Sequence, residues 1–206
     1  MYTQECLRIK ATLGKIAFLI SRHEVDVARI GLFFGSDEGN SERIAYKIQQ
    51  RIGEHLVDVH DIADATQLDF VAYDKIILGI PTWDFGQIQS DWDDFWSDIG
   101  EVDFSGKTVA LFGLGDQYGY SDYFLDAMGM LHDVVLKNGA RIVGHWPTEG
   151  YEFTSSKAEI SGAGLFVGLA LDEDHQEYLT ADRLNRWCTQ ICTEFDLDES
   201  PKLLDE

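Results

Sequence analysis

The sequence is poor in cysteine, proline and basic residues. It has three cysteines and three prolines in 206 residues, and 16 lysines and arginines stand against 37 aspartates and glutamates. Cys6, Cys188 and Cys192 form neither a disulfide framework nor a CxxC pair, which predicts a reduced, cytoplasmic protein. The net charge of −21 repels the phosphates of nucleic acid and the anionic surface of a membrane. We therefore expect no nucleic-acid or membrane partner, and basic proteins or small ligands instead.

Long apolar runs and metal-ligand spacings are also absent. No window reaches the roughly 18 apolar residues of a membrane-spanning helix, and the six histidines lack the spacing of a metal site. An apolar fraction of 45% excludes a disordered acidic chain, and the length fits one domain. We expect this domain at residues 29–195 and an acidic tail at 196–206. We expect residues 1–28 to lie outside it, as an appendage or a misplaced start of translation, because their apolar stretch is short and is followed by charged residues.

Apolar runs alternate with helical patterns along the predicted domain. Ile44, Ile48 and Ile52 recur at helical spacing, and further helices are predicted from about residue 121 to 138 and from 180 to 195, the last one capped by Thr180. Strands separated by helices predict a three-layer α/β fold, whose parallel sheet binds ligands at the carboxyl ends of its strands. The predicted strands are IGLFF ending at Phe34, LVDVHDI (56–62), KIILGIP (75–81), KTVALFGLG (107–115), ARIVGHW (140–146) and GLFVGLAL (164–171).

The turn after the first predicted strand reads GSDEGNS, residues 35–41. Its backbone N–H groups lie at a predicted helix start and, with the hydroxyls of Ser36 and Ser41, are suited to hold a phosphate. The G-K-[ST] and G-x-G-x-x-G patterns are both missing, which excludes the two common nucleotide-binding loops. By itself, such a turn is more often a plain connection than a binding site.

Two later turns carry aromatic residues at the same predicted edge of the sheet. PTWDFGQIQSDW (81–92) places Trp83 and Phe85 where a loop usually has polar residues. GLGDQYGYSDYFLDAMG (113–129) adds three tyrosines between residues 118 and 123. Each aromatic residue alone is compatible with ordinary packing. Together with the hydroxyls of the first turn, they predict a site with a phosphate cradle and two aromatic walls.

Four segments, FFGSDEGNSE, ILGIPTWDFG, FGLGDQYGYSDYFLDAMG and GHWPTEGYEF, resemble those of the long-chain flavodoxins, in the same order. The resemblance covers about residues 29–195. It implies a flavodoxin-like, doubly wound, five-stranded parallel sheet of order 2-1-3-4-5. The last strand is implied to be split by an insertion at about residues 149–165, whose purpose in this family is usually put down to partner docking. The resemblance also implies one non-covalently bound FMN that cycles between semiquinone and hydroquinone, and hence a low-potential one-electron carrier and not an enzyme.

The resemblance assigns roles to individual residues. Residues 36–41 match the phosphate loop, Trp83 matches the inner aromatic wall of the isoalloxazine ring, and Tyr120 matches its outer wall. Asp84 and Phe85 match the peptide that can reorient toward the flavin N5 on reduction. The residues implied to bind the cofactor are Ser36, Asp37, Glu38, Gly39, Asn40, Ser41, Thr82, Trp83, Asp84, Phe85, Gly86, Tyr120 and Tyr123, with Leu114, Gly115 and Asp116 around the pyrimidine edge.

The charge of the domain suits a carrier. Reduction of the flavin to the hydroquinone anion adds a negative charge, which an acidic domain with stacked rings disfavours.

The alternative to a carrier is an FMN-dependent NAD(P)H:quinone-type reductase on the same fold, although Tyr120 would block the substrate pocket that such an enzyme needs over the flavin. The implied partners of the monomer are basic-faced redox proteins, namely an NADPH-dependent flavodoxin reductase as donor and low-potential enzymes as acceptors.

One turn departs from the family pattern S-x-T-G-x-T. Glu38 stands at the position of its first threonine, and Ser41 replaces the second. A carboxylate that faces a phosphate would weaken binding, whereas one that points outward near a helix N-terminus is stabilised by the helix dipole. We expect Glu38 to point outward.

Overall fold

The computed structural model describes residues 30–197 and residue 201. The predicted extension at residues 1–28 and most of the predicted acidic tail lie outside these residues. The division of the chain at residues 28 and 195 therefore stays a prediction.

A parallel sheet runs through the described part of the chain. Its first strands are β1 (Ile30–Phe34), β2 (Val57–Asp61) and β3 (Lys75–Trp83), followed by β4 (Gln87–Ile88), which returns antiparallel to the end of β3, and by β5 (Thr108–Leu114). The parallel neighbours are in the order β2-β1-β3-β5. The pairing of Thr82 and Trp83 with β4 extends β3 past residue 81, where the sequence predicts its end.

The fifth position of the sheet is shared by two short strands. β6 (Arg141–Val143) pairs with the beginning of β5, and β10 (Leu169–Leu171) pairs with the end of β5. Between them the chain forms a separate antiparallel sheet, which consists of β7 (Trp146–Pro147), β8 (Glu159–Ile160) and β9 (Leu165–Phe166). The order 2-1-3-4-5 and the split last strand are thus confirmed.

The insertion is longer than the sequence indicates, because it fills residues 144–168 between β6 and β10 and not only 149–165. The run at 164–171 is two strands in two sheets, so its prediction as one strand is wrong. The chain passes from one sheet to the other at Gly168, where a Cβ atom would stand 2.3 Å from the carbonyl oxygen of Leu111.

Within residues 30–197, six α-helices accompany the sheet, and each buries apolar side chains. Ile44, Ile48 and Ile52, spaced four apart, are all buried on the first helix, as the spacing predicts. The helices are α1 (Asn40–Ile52), α2 (Gln67–Val71), α3 (Ser90–Asp94), α4 (Trp96–Ile99), α5 (Asp126–Lys137) and α6 (Glu177–Glu194), with a 3₁₀ helix at Ile62–Asp64.

Two predicted helix starts are wrong, each because a long-range contact decides the local structure. α5 begins at Asp126 and not near residue 121, since Leu125 adopts a left-handed conformation (φ 60°) and the carbonyl of Ser121 accepts hydrogen bonds from the insertion. α6 begins three residues before Thr180, whose hydroxyl donates to Glu173 instead of capping the helix.

Close packing in the centre of the sheet depends on glycine. Gly79 of β3 lies opposite Phe112 of β5, and a Cβ atom at Gly79 would stand 2.0 Å from the Phe112 ring. Cys188 and Cys192 of α6 are buried among apolar side chains. Burial raises the pKa of both thiols, to about 11 for Cys192.

Candidate functional site

A cleft of roughly 230 Å³ opens at the carboxyl ends of β1, β3, β5 and β10. Parallel sheets bind ligands at this edge, because the loops that follow the strands converge there. The cleft is lined by Ser36, Asp37, Glu38, Asn40, Ser41, Pro81, Thr82, Trp83, Asp84, Leu114, Gly115, Asp116, Tyr120, Glu173 and Asp174. The structure therefore brings together the three turns that the sequence analysis singles out.

The turn between β1 and α1 presents neutral donors to the cleft. The N–H of Gly39 donates to Ser36 Oγ at 3.0 Å, and Gly39 takes a left-handed conformation (φ 83°) at the start of the 13-residue helix α1. The first N–H groups of a helix have no partner within it. Ser41 is 1% exposed, and its hydroxyl has no hydrogen-bond partner among residues 30–197. This end of the cleft is suited to an anionic group that accepts hydrogen bonds.

The two acids of this turn point to different surroundings. Asp37 accepts hydrogen bonds from Gln89 Nε2 at 3.0 Å and from Ser90 Oγ at 2.9 Å, so its carboxylate ties the turn to the start of α3. Glu38 is exposed at the rim of the cleft. Neither acid has the surroundings of a phosphate ligand.

Two aromatic rings line the other end of the cleft. Trp83 ends β3, and its buried indole Nε1 has no hydrogen-bond partner in the part of the chain that the structure describes. Tyr120 lies in the loop after β5, and its hydroxyl donates to Asp84 Oδ1 at 3.1 Å. This hydrogen bond, together with the nearby carboxylates, raises the pKa of Tyr120. The arrangement is suited to a flat ring system with polar edges.

Four of the predicted residues do not line the cleft. Phe85 is 70% exposed, and its ring lies edge-on to Tyr120 and Tyr123, with centroids 5.8 Å apart in each pair. Gly86 lies in the turn between β3 and β4 (φ 84°), and Gly39 is the residue that precedes α1. Phe85 and Tyr123 thus support the outer wall from the solvent side.

Three lining residues are missing from the sequence prediction: Pro81, Glu173 and Asp174. The two acids directly follow β10, the fifth strand position of the sheet. The rule that ligands bind at the carboxyl ends of strands would have found them if it had been applied to the fifth strand as well. Glu173 is held by Arg43 of α1, with a distance of 2.7 Å between Nη2 and Oε2.

The lining contains six carboxylates and no lysine, arginine or histidine. Four of the six accept hydrogen bonds from the protein itself. Asp116 illustrates the arrangement, because its Oδ1 accepts the N–H groups of Tyr118 and Gly119 at 2.9 and 2.7 Å and lies 3.1 Å from His175 Nε2. The four are Asp37, Asp84, Asp116 and Glu173. These hydrogen bonds hold the carboxylates in place and lower the cost of having them close together.

The sequence pattern of the family described as Flavodoxin matches residues 32–187. The chain belongs to the flavodoxin family. Flavodoxin 1 of Escherichia coli (strain K12) is 53% identical over 173 residues, which are 84% of this chain and 98% of that protein. Flavodoxin 2 of the same strain is 52% identical over 165 residues, covering 80% of this chain and 95% of that protein.

Solved flavodoxin structures share the fold. A crystal structure of Fusobacterium nucleatum flavodoxin bound to flavin mononucleotide has a TM-score of 0.75 and 30% identity, and it covers 80% of this chain and 97% of that one. Within residues 30–197 of this flavodoxin, no three histidine, cysteine or acidic side chains are grouped as a metal site would require. In the same part of the chain, no helix is long and apolar enough to cross a membrane.

Proposed function

We propose that this flavodoxin carries single electrons on one non-covalently bound FMN. The observation that carries the proposal is the buried Ser41 hydroxyl, which is without a partner at one end of a cleft whose other end lies between Trp83 and Tyr120. A buried hydroxyl that makes no hydrogen bond destabilises a protein by about 1–3 kcal/mol. A phosphoryl oxygen at this point would supply the missing partner.

The residues of the cleft fit the two ends of FMN. The hydroxyls of Ser36 and Ser41 and the N–H groups of residues 37, 38, 40 and 41 would hold the phosphoryl group with neutral donors and the helix dipole. The rings of Trp83 and Tyr120 would enclose the isoalloxazine. Thr82, Leu114, Gly115 and Asp116 line the cleft between them and would contact the edges of the ring.

Bound FMN supplies the one-electron chemistry, and the residues of the chain set the energy of adding charge. The rings of Trp83 and Tyr120 would exclude water from a bound flavin, so that charges nearby would interact more strongly than they do in water. Carboxylates of Asp84, Asp116 and Asp174 line the same cleft, and they disfavour a further negative charge. We therefore infer that full reduction occurs at low potential, as it must in a donor to low-potential acceptors.

The chain is an electron-transfer protein and not an enzyme. A quinone-type reductase needs an open substrate pocket over the flavin, and Tyr120, which donates to Asp84, would cover that side of the ring. Steady oxidation of NADPH by the purified protein alone would favour the reductase instead.

The partners follow from the charge. We infer basic-faced redox proteins, with an NADPH-dependent flavodoxin reductase as donor and low-potential enzymes as acceptors, because the chain carries a net charge of −21. We also infer a monomer of the long-chain type, since an insertion splits the last strand. The reduced, buried Cys188 and Cys192 support a cytoplasmic location. Association with the partners should weaken as salt rises, and salt-independent binding would contradict electrostatic docking.

An absorbance spectrum of the purified protein tests the proposal directly. We expect flavin bands in the visible range, or their shift when the apoprotein is titrated with FMN, with saturation at one FMN per chain. Stepwise reduction should produce a one-electron form before full reduction. A colourless protein that leaves the spectrum and fluorescence of added FMN unchanged would overturn the proposal.

A further inference from the structure

The loop after β3 and the loop after β5 are joined over the cleft by a side-chain hydrogen bond. Tyr120 Oη, in the loop after β5, donates to Oδ1 of Asp84, directly after β3, at 3.1 Å. We propose that Asp84 is a positioning residue, whose carboxylate holds the Tyr120 ring in place as the outer wall before FMN enters. The inference rests on the proposed function, because a wall is useful only if a flat ring binds beside it.

The backbone at Asp84 is shaped for this contact. Trp83 pairs with Gln87 across the β3–β4 hairpin, so Asp84, Phe85 and Gly86 form a three-residue turn. Asp84 takes a left-handed conformation (φ 42°), which is uncommon for a residue with a side chain and is tolerated best by asparagine and aspartate among such residues. Local strain of this kind persists only where the surroundings determine it, and it is often found at ligand sites.

The backbone of Tyr120 is fixed independently of its side chain. Its N–H donates to the carbonyl of Asp116 at 3.2 Å, and the carbonyl of the next residue, Ser121, accepts the N–H groups of Thr154 and Ser155 at 2.9 and 3.1 Å. The insertion therefore anchors the loop. These backbone contacts do not restrict rotation of the Tyr120 side chain, which is held by the hydrogen bond to Asp84 and packs against the ring of Phe85.

Holding the ring before binding improves affinity, because less side-chain freedom is lost when the ligand arrives. The effect of one hydrogen bond on the dissociation constant is about 2- to 10-fold. The carboxylate has a second, opposite effect, since it adds negative charge near an anionic ligand. Replacing Asp84 alone therefore mixes two contributions, and only a design that separates them tests the inference.

A double-mutant cycle on the FMN complex separates them. We would measure the FMN dissociation constant and dissociation rate, by flavin fluorescence, for the parent protein, Tyr120→Phe, Asp84→Ala and the double variant. We expect Tyr120→Phe to weaken binding by about 2- to 10-fold in the parent and to have no effect in the Asp84→Ala background. Asp84→Ala removes the same charge and changes the strain at residue 84 equally whether residue 120 is tyrosine or phenylalanine. These contributions therefore cancel when the effect of Tyr120→Phe is measured within the Asp84→Ala background.

Asp84→Asn is the matched control, because it removes the charge, keeps an oxygen acceptor and tolerates the left-handed backbone. In that background Tyr120→Phe should again weaken FMN binding. Equal effects of Tyr120→Phe in the parent and in Asp84→Ala would overturn the positioning role while leaving FMN binding established. If the parent protein binds no FMN, the proposed function fails and the positioning role with it.

The apoprotein gives a readout that needs no flavin. The difference in tyrosinate absorbance between the parent and Tyr120→Phe reports the titration of Tyr120. Tyr120 should lose its proton at higher pH in the parent than in Asp84→Ala, where the same comparison is made between the Asp84→Ala protein and the double variant. Coincident titration curves would show that the two side chains are not in contact, which contradicts the inference.

Discussion

Replacing Ser41 by alanine should stabilise the apoprotein and weaken FMN binding at the same time. The Ser41 side chain is 1% exposed, and its hydroxyl lacks a partner. The free protein therefore bears the cost of a buried polar group that makes no hydrogen bond. Ser41 is the second residue of α1, where alanine also has the higher helix propensity.

The magnitudes follow from these two facts. Removing an unsatisfied buried hydroxyl is worth about 1–3 kcal/mol, so we expect the free energy of unfolding of the apoprotein to rise by about 1–2 kcal/mol. The same change removes a hydrogen bond to a charged phosphoryl group, worth about 1.5–3 kcal/mol. The FMN dissociation constant should therefore rise about 10- to 100-fold.

Ser36→Ala is the matched control. Ser36 lies in the same turn, but its Oγ already accepts the N–H of Gly39 at 3.0 Å. Its loss leaves that N–H without a partner, so the apoprotein should become less stable by about 1 kcal/mol. Urea unfolding of the two apoproteins, followed by fluorescence titration with FMN, measures both quantities. The two variants should differ in the sign of their effect on the apoprotein.

Either of two results for Ser41→Ala would contradict this prediction. If Ser41→Ala lowers the stability of the apoprotein as Ser36→Ala does, the Ser41 hydroxyl is satisfied in the free protein. If FMN binds Ser41→Ala as tightly as the parent, the phosphoryl group does not reach Ser41. The first outcome removes the observation on which the proposed function depends, and the second removes the role of Ser41 while leaving FMN binding established.

Three further predictions concern other parts of the chain. Glu38→Thr should tighten FMN binding by less than tenfold, about 1.4 kcal/mol, because Glu38 is exposed at the rim; FMN titration measures it. Burial raises the pKa of Tyr151 to about 12 from about 10 when unfolded. Stability should thus be lost as pH rises from about 10 to 12, and the loss should be smaller in Tyr151→Phe when urea unfolding is followed at these pH values. Gly129→Ala should destabilise the protein by about 1–3 kcal/mol, since a Cβ atom there would stand 2.3 Å from the backbone of Lys157; thermal or urea unfolding measures it.

Each of these has a control or a contradicting result. A gain of more than tenfold in Glu38→Thr would mean that the carboxylate points into the cleft. Equal alkaline loss in Tyr151→Phe would assign that loss to other groups. Gly100→Ala is the control for Gly129→Ala. Gly100 has an ordinary helical conformation, and a Cβ atom there would stand 3.3 Å from the nearest atom, the carbonyl oxygen of Ser97. Equal effects of the two alanines would contradict a close approach of the insertion to α5.

Most of the strands and the shared position of the two aromatic rings could be predicted from the sequence itself, whereas the strand order was implied by the resemblance to long-chain flavodoxins. Buried parallel strands are continuous apolar runs, and the turns that follow them all open at one edge, so Trp83 and Tyr120 could be assigned to the same site. The cores of α1 and α6 were also predictable, because helical spacing of apolar residues is a local property. Prediction failed for Glu173 and Asp174 because the rule that ligands bind at the carboxyl ends of strands was applied to the turns after the first, third and fourth predicted strands and not to the run at 164–171.

The sequence by itself determined which runs and helix faces are apolar, which turns carry hydroxyls and aromatic rings, and how much negative charge the chain carries. These properties depend on neighbours within a few positions along the chain. Only the tertiary structure decided that Asp37 faces α3, that Thr180 binds Glu173 and does not cap its helix, and that Asp84 holds Tyr120. Each of those contacts joins residues from separate elements. Their energies depend on distance and direction in space, and these are set only when the whole sheet has assembled.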